Sequence, residues 1–127
     1  MTPPATVRQA ATPADMDEAR ALFREYADWL AVALCVQGFA EELASLPGAY
    51  APPRGCLLLA GPAGAALGCI ALRPIAVDGT ADGAVGEIKR LFVQPAARGQ
   101  GLGERLVAAI VDIARAAGYR ELKLDTL

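Results

Sequence analysis

Histidine is missing from all 127 residues, which removes the Ser-His-Asp and Cys-His nucleophile systems, histidine metal sites and any imidazole base. Acid-base chemistry is left to carboxylates, tyrosine, lysine or cysteine. Cysteine is scarce: Cys35, Cys56 and Cys69 lie far apart with no C-x-x-C pair to suggest zinc or redox work, so all three are expected reduced and buried, and no metal is expected. No apolar run approaches the ~20 residues that cross a bilayer. The stretch from Leu57 to Gly68 is already broken by Gly61, Pro62 and Gly64. Neither sign of charge dominates. Twelve Lys plus Arg stand against fourteen Asp plus Glu, so no whole-chain field draws the protein to nucleic acid or an anionic membrane. Residues Met1 to Thr6 lack the basic start and apolar run of a secretory signal, and the cytoplasm is the expected location. With 54% hydrophobic and 20% charged residues, the chain reads as one soluble domain over residues 1–127.

Periodicity places the elements. Val7 to Ala10 reads as a short first strand. Thr12-Pro13-Ala14-Asp15 has an N-cap threonine, a first-turn proline and an acid three residues after the cap, opening a helix from Pro13 to about Ala33. Its buried stripe is Met16, Ala19, Phe23, Ala27 and Leu30. A short helix is expected over Ala40 to Ser45. Three prolines and two glycines between 47 and 55 then exclude regular structure. Cys56 to Ala60 and Ala66 to Ile75 read as strands joined by a Gly61–Gly64 hairpin turn, and Val85 to Val93 as a third, giving an antiparallel meander. Pro95 ends the pairing. A last helix presents Leu102, Leu106, Ala109, Ile110, Ile113 and Ala117 on one face and stops at Gly118. Glu121 to Leu127 alternates as a half-buried strand.

The segment with chemical content is Glu87 to Gly103. A strand passes through a short loop into a helix whose first turn carries Gly99, Gly101 and Gly103, leaving main-chain N–H groups unshielded. Those groups, the positive end of the helix dipole and the charge of Arg98 make an anion cradle suited to a diphosphate. Alternating glycines alone are equally a flexible turn. No Gly-Lys-Ser/Thr follows, as a nucleoside-triphosphate loop requires, and the spacing is not the dinucleotide G-x-G-x-x-G.

Arg98-Gly99-Gln100-Gly101-Leu102-Gly103, at a strand-to-helix junction, resembles the Q/R-x-x-G-x-G/A signature of the GCN5-related N-acetyltransferases, the GNAT superfamily. Lys89-Arg90-Leu91-Phe92-Val93-Gln94-Pro95 before it and Gly118-Tyr119 through Leu124 after it look like the same family's pattern. The resemblance implies an α/β (α+β) fold with a mixed, mainly antiparallel sheet and flanking helices. It implies acetyl-CoA as acyl donor, with the amides from Arg98 to Gly103 around its diphosphate. The strand end Leu91-Phe92-Val93 would bond the pantetheine arm where the strand splays from its neighbour, often at a bulge.

By the same resemblance, Glu87 matches a glutamate that serves some relatives as general base, directly or through water; the alternative is a structural carboxylate paired with Lys89 or Arg90. The Val93 amide would polarise the thioester carbonyl. Trp29, Phe39, Tyr50 and Arg54 are candidates to line the acceptor site, Arg54 by meeting an acceptor carboxylate, against plain readings as core aromatics and a solvated arginine. Relatives continue past the last strand with a helix and two further strands, which often supply a tyrosine acid. This chain stops at Leu127, and Tyr26, Tyr50 and Tyr119 do not match that tyrosine. The domain is therefore expected to be incomplete at its C-terminus, and the Glu121–Leu127 edge to pair with a second copy in a homodimer. The implied activity is direct transfer of an acetyl group to the primary amine of a small molecule. Two rivals are a non-catalytic acyl-CoA binding or sensing module and an acetyltransferase of protein lysines or N-termini.

Overall fold

The computed structural model describes residues 6–30, 36–76, 79 and 83–124. In chain order come β1 (Val7–Gln9), α1 (Pro13–Leu30), α2 (Val36–Ser45), β2 (Cys56–Ala60), β3 (Gly68–Ile75), β4 (Val85–Val93), α3 (Leu102–Ala116) and β5 (Glu121–Leu124). Single 3-10 turns sit at Gly48–Tyr50 and Pro95–Ala97. The strands make one sheet in sequence order, antiparallel from β1 to β4, with β5 parallel to β4. This is the mixed, mainly antiparallel α+β architecture expected.

The sequence explains where the elements begin and end. At the start of α1, the Asp15 amide donates to Thr12 Oγ1 at 3.1 Å, while Asp15 Oδ2 accepts from the amides of Ala11 and Thr12 at 2.9 and 3.2 Å. This reciprocal cap satisfies donors that a helix start otherwise leaves open. At the end of α3, Gly118 takes a φ of 92° and the Tyr119 amide reaches back to the Ala114 carbonyl at 3.1 Å. Two boundaries differ from expectation. α2 starts at Val36 rather than Ala40, running through Gly38, because Phe39 and Leu43 one turn apart pack into the core and outweigh the glycine's cost. β3 starts at Gly68 rather than Ala66, because the Ala66 amide is spent on Glu18 Oε1 at 2.9 Å. The expected end of α1 near Ala33, Cys35, and the last three residues of the terminal strand lie outside the described residues.

Both faces of the sheet are covered, which is why β2 reads as an unbroken apolar run. On one face α1, α2 and Tyr50 cover Leu57, Leu59, Cys69, Ala71 and Phe92. On the other, Leu102, Leu106, Ile110 and Ala114 of α3 cover Leu58, Ile70, Leu72 and Ile88. Cys56 and Cys69 are free thiols in this core, and burial pushes both above the ordinary thiol range. Among the described residues no helix is long and apolar enough to cross a membrane.

Candidate active site

The site is built where β4 leaves the sheet. β5 pairs with β4 only from Val85 to Ile88, so among the described residues no strand pairs with the β5-side edge of β4 beyond Ile88. The Gln94 amide donates to the Leu67 carbonyl at 2.9 Å, towards β3, so by strand alternation the peptide groups of Val93 and Leu91 face the open edge. The Val93 carbonyl accepts from Arg98 Nε at 2.9 Å.

Beyond Pro95–Ala97 the chain turns through Gly99 (φ 85°) and Gly101 (φ 76°), both in the left-handed region that side chains resist. A methyl group added at either would meet nothing within 4 Å, so both positions face open space. Gly101 caps α3 without a side-chain hydrogen bond, leaving the amides of Leu102, Gly103 and Glu104 with no intrahelical acceptor. The glycine turn is joined to the end of β4 by Gln94 and the Pro95–Ala97 turn. The Arg98 amide is bonded to the Pro95 carbonyl at 3.3 Å, and its guanidinium lies over the ring of Trp29, 4.8 Å from the centroid, rather than over the turn.

Upstream of this edge β4 is bulged. Cys69 faces Phe92 while Ala71 faces Lys89, so Arg90 and Leu91 together oppose Ile70. Arg90 absorbs the extra residue with a φ of 61°, a strain of roughly 1–3 kcal/mol for a residue with a Cβ. Its guanidinium is gripped by both oxygens of Glu42, each at 2.9 Å, and lies 5.4 Å from the Phe39 ring centroid. Its carbonyl accepts from the Cys69 thiol at 3.2 Å. Burial opposes the Arg90 charge, but the Glu42 bonds outweigh it and hold Arg90 above its ordinary range.

Glu87, Phe39, Tyr50 and Trp29 share the α1/α2 face of the sheet, though not one cluster. Glu87 stands opposite Arg73 in the β3–β4 register, and its Oε1 accepts from Arg73 Nε at 2.8 Å and Nη2 at 2.7 Å. A cross-strand arginine is thus its partner, while Arg90 is held by Glu42 instead. Tyr50 is buried edge-on to Phe23, and burial first, then the negative charge of nearby Glu42, pushes its phenol well above the usual range. It lines a cavity of about 260 Å³ together with Glu41, Glu42, Ser45 and Arg73. Trp29 is 55% exposed, its ring tilted at 55° to that of Phe92 with centroids 6.3 Å apart.

Arg54 is not brought to this face. Its guanidinium donates to the carbonyls of Ala117 and Gly83 and lies 4.2 Å from the Tyr119 centroid, while the Tyr119 hydroxyl donates to the Arg54 carbonyl at 2.5 Å. It ties down the C-terminal end of α3. A larger cavity, about 640 Å³, lies between the first turns of α1 and the Leu46–Pro47 turn, and none of the candidate residues lines it. Among the described residues no three His, Cys, Asp or Glu side chains gather where they could hold a metal ion. Sequence reasoning missed Glu42 and Arg73, whose only signal is their charge; what makes them part of the site is strand register and the docking of α2.

Comparison with known proteins agrees with this architecture. The acetyltransferase (GNAT) family profile matches residues 12–127. An uncharacterized N-acetyltransferase of Schizosaccharomyces pombe is 38% identical over 116 residues, covering 91% of this chain and 68% of that protein. An IAA acetyltransferase of Azospirillum brasilense is 49% identical over 69 residues, which is 54% of this chain and 42% of that protein. In fold, the chain is similar to the crystal structure of a predicted acetyltransferase from Clostridium acetobutylicum with acetyl-CoA, with a TM-score of 0.79 at 15% identity over 96% of this chain and 80% of that one.

Proposed function

The chain belongs to the acetyltransferase (GNAT) family, and on that footing we propose that it moves an acetyl group from acetyl-CoA directly to the primary amine of a small molecule, donor and acceptor being bound together. One observation carries the reading. An open glycine turn at the start of α3 follows a strand whose β5-side edge no described strand covers beyond Ile88, so a diphosphate and an amide-bearing arm would find partners on consecutive segments.

In this reading the amides of Gly99, Gln100, Gly101, Leu102 and Gly103 hold the diphosphate and Arg98 supplies the neighbouring charge. The Leu91-Phe92-Val93 strand end holds the pantetheine arm, with the Val93 amide donating to the thioester oxygen as charge builds there. Glu87, oriented by Arg73, accepts the proton of the incoming amine directly or through a water. Phe39, Tyr50 and Trp29 border the acceptor. The cavity beside Tyr50, about 260 Å³, suits a small molecule better than an extended peptide. A cytoplasmic location fits the buried free thiols of Cys56 and Cys69. A homodimer through the β5 edge is part of the same proposal. Leu124 there is 55% exposed, and light scattering should give twice the chain mass; a monomer at all concentrations contradicts it.

The function is tested by release of free thiol from acetyl-CoA with a panel of amines. Glu87→Gln should lower kcat about a hundredfold or more while coenzyme A affinity holds. Tight coenzyme A binding with no turnover on any amine would contradict catalysis and leave a binding module.

A further inference from the structure

Arg90 is the one described residue other than glycine with a left-handed φ, and it lies in the strand assigned above to the donor. Contacts reach it from two elements. From α2, Glu42 grips the guanidinium through two 2.9 Å bonds, and Phe39, one turn earlier, lies against it. From β3, the Cys69 thiol donates to its carbonyl at 3.2 Å. The Arg90 and Glu42 side chains keep only 10% and 21% of their exposure, so solvent and salt screen the pair weakly. A guanidinium–carboxylate fork fixes direction as well as distance.

A residue with a Cβ stays left-handed only where its surroundings over-determine it. Were Arg90 released, the register on either side would keep the extra residue, but its φ would relax out of the left-handed region and the neighbouring peptide groups of the Leu91–Val93 segment would turn with it. We propose that Glu42 is a positioning residue for acyl transfer: acting from α2, it locks Arg90 in the conformation that aims the Leu91 and Val93 amides at the donor. The acceptor-side helix and the donor strand are thereby one mechanical unit. This rests on the assignment of the open β4 edge to the donor.

Glu42→Gln keeps the side chain's volume and removes its charge. In the ligand-free, isotope-labelled variant the backbone resonances of Arg90, Leu91 and Val93 should move, while those of Gly99 and Gly101 stay. For acetyl transfer, kcat should fall roughly tenfold or more with coenzyme A affinity changed by no more than about twofold, because misaimed donors affect the reacting atoms before the diphosphate. Arg90→Gly supplies the second arm. Glycine holds a φ near 61° without a clasp, so adding Glu42→Gln to Arg90→Gly should cost nothing further in kcat. Unchanged β4 resonances and kcat in Glu42→Gln, or an equal loss in both backgrounds, would overturn the proposal. Failure of the parent chain to bind coenzyme A would instead overturn the donor-site reading, and the ligand-free resonances would still decide the role of Glu42 in holding the bulge.

Discussion

Trp29 is the chain's single tryptophan, and the guanidinium that covers its ring belongs to the arginine beside the glycine turn. Arg98 Nε bonds the carbonyl of Val93, a residue that the proposed function assigns to the donor's pantetheine arm. Coenzyme A should therefore draw Arg98 off that carbonyl and off the indole, so that Trp29 emission changes on titration. In Arg98→Ala, with the cation gone from the start, the change should be largely lost; an identical response in both proteins would contradict the movement. The identity of these residues was legible in the sequence, but not their pairing. Glu87 offered Lys89 and Arg90 as neighbours along its own strand, whereas its partner Arg73 lies across the sheet, at a position set by a register that the residues alone do not reveal. Arg54 misled for a related reason: a loop arginine looks solvated or ligand-directed until the end of α3 arrives beside it.

At the scale of elements, the sequence carried most of the framework. Proline and glycine marked the turns, the Thr12–Asp15 cap marked α1, and apolar spacing marked α3. The resemblance implied a bulge near the end of β4 but not that Arg90 carries it, because nothing in local propensity favours a left-handed arginine and the contacts that hold it come from β3 and α2. Arg54 gives a test that separates scaffold from site. Its two carbonyl acceptors and the Tyr119 ring anchor the end of α3 to the segment before β4, so Arg54→Ala should cost about 2 kcal/mol in urea denaturation. The KM for the acceptor should stay unchanged. A raised KM at unaltered stability would return Arg54 to the acceptor site.

For the whole molecule, the sheet sets the geometry on which catalysis depends. α1 and α2 cover one face and α3 the other, and β4 belongs to both layers before it parts from β5 and opens its edge. In the proposed function, donor and acceptor surfaces are two sides of this one strand, with the glycine turn at its end. The most direct test is calorimetric titration of coenzyme A into the parent chain, Gly101→Asn and Gly101→Asp. Asparagine and aspartate tolerate the left-handed φ of 76° almost alike, so the pair isolates charge from shape. If the diphosphate sits in this turn, the parent binds, and the aspartate variant binds at least about tenfold more weakly than the asparagine variant, with similar Tm for the two. Equal affinity for Asn and Asp at position 101 would contradict the account.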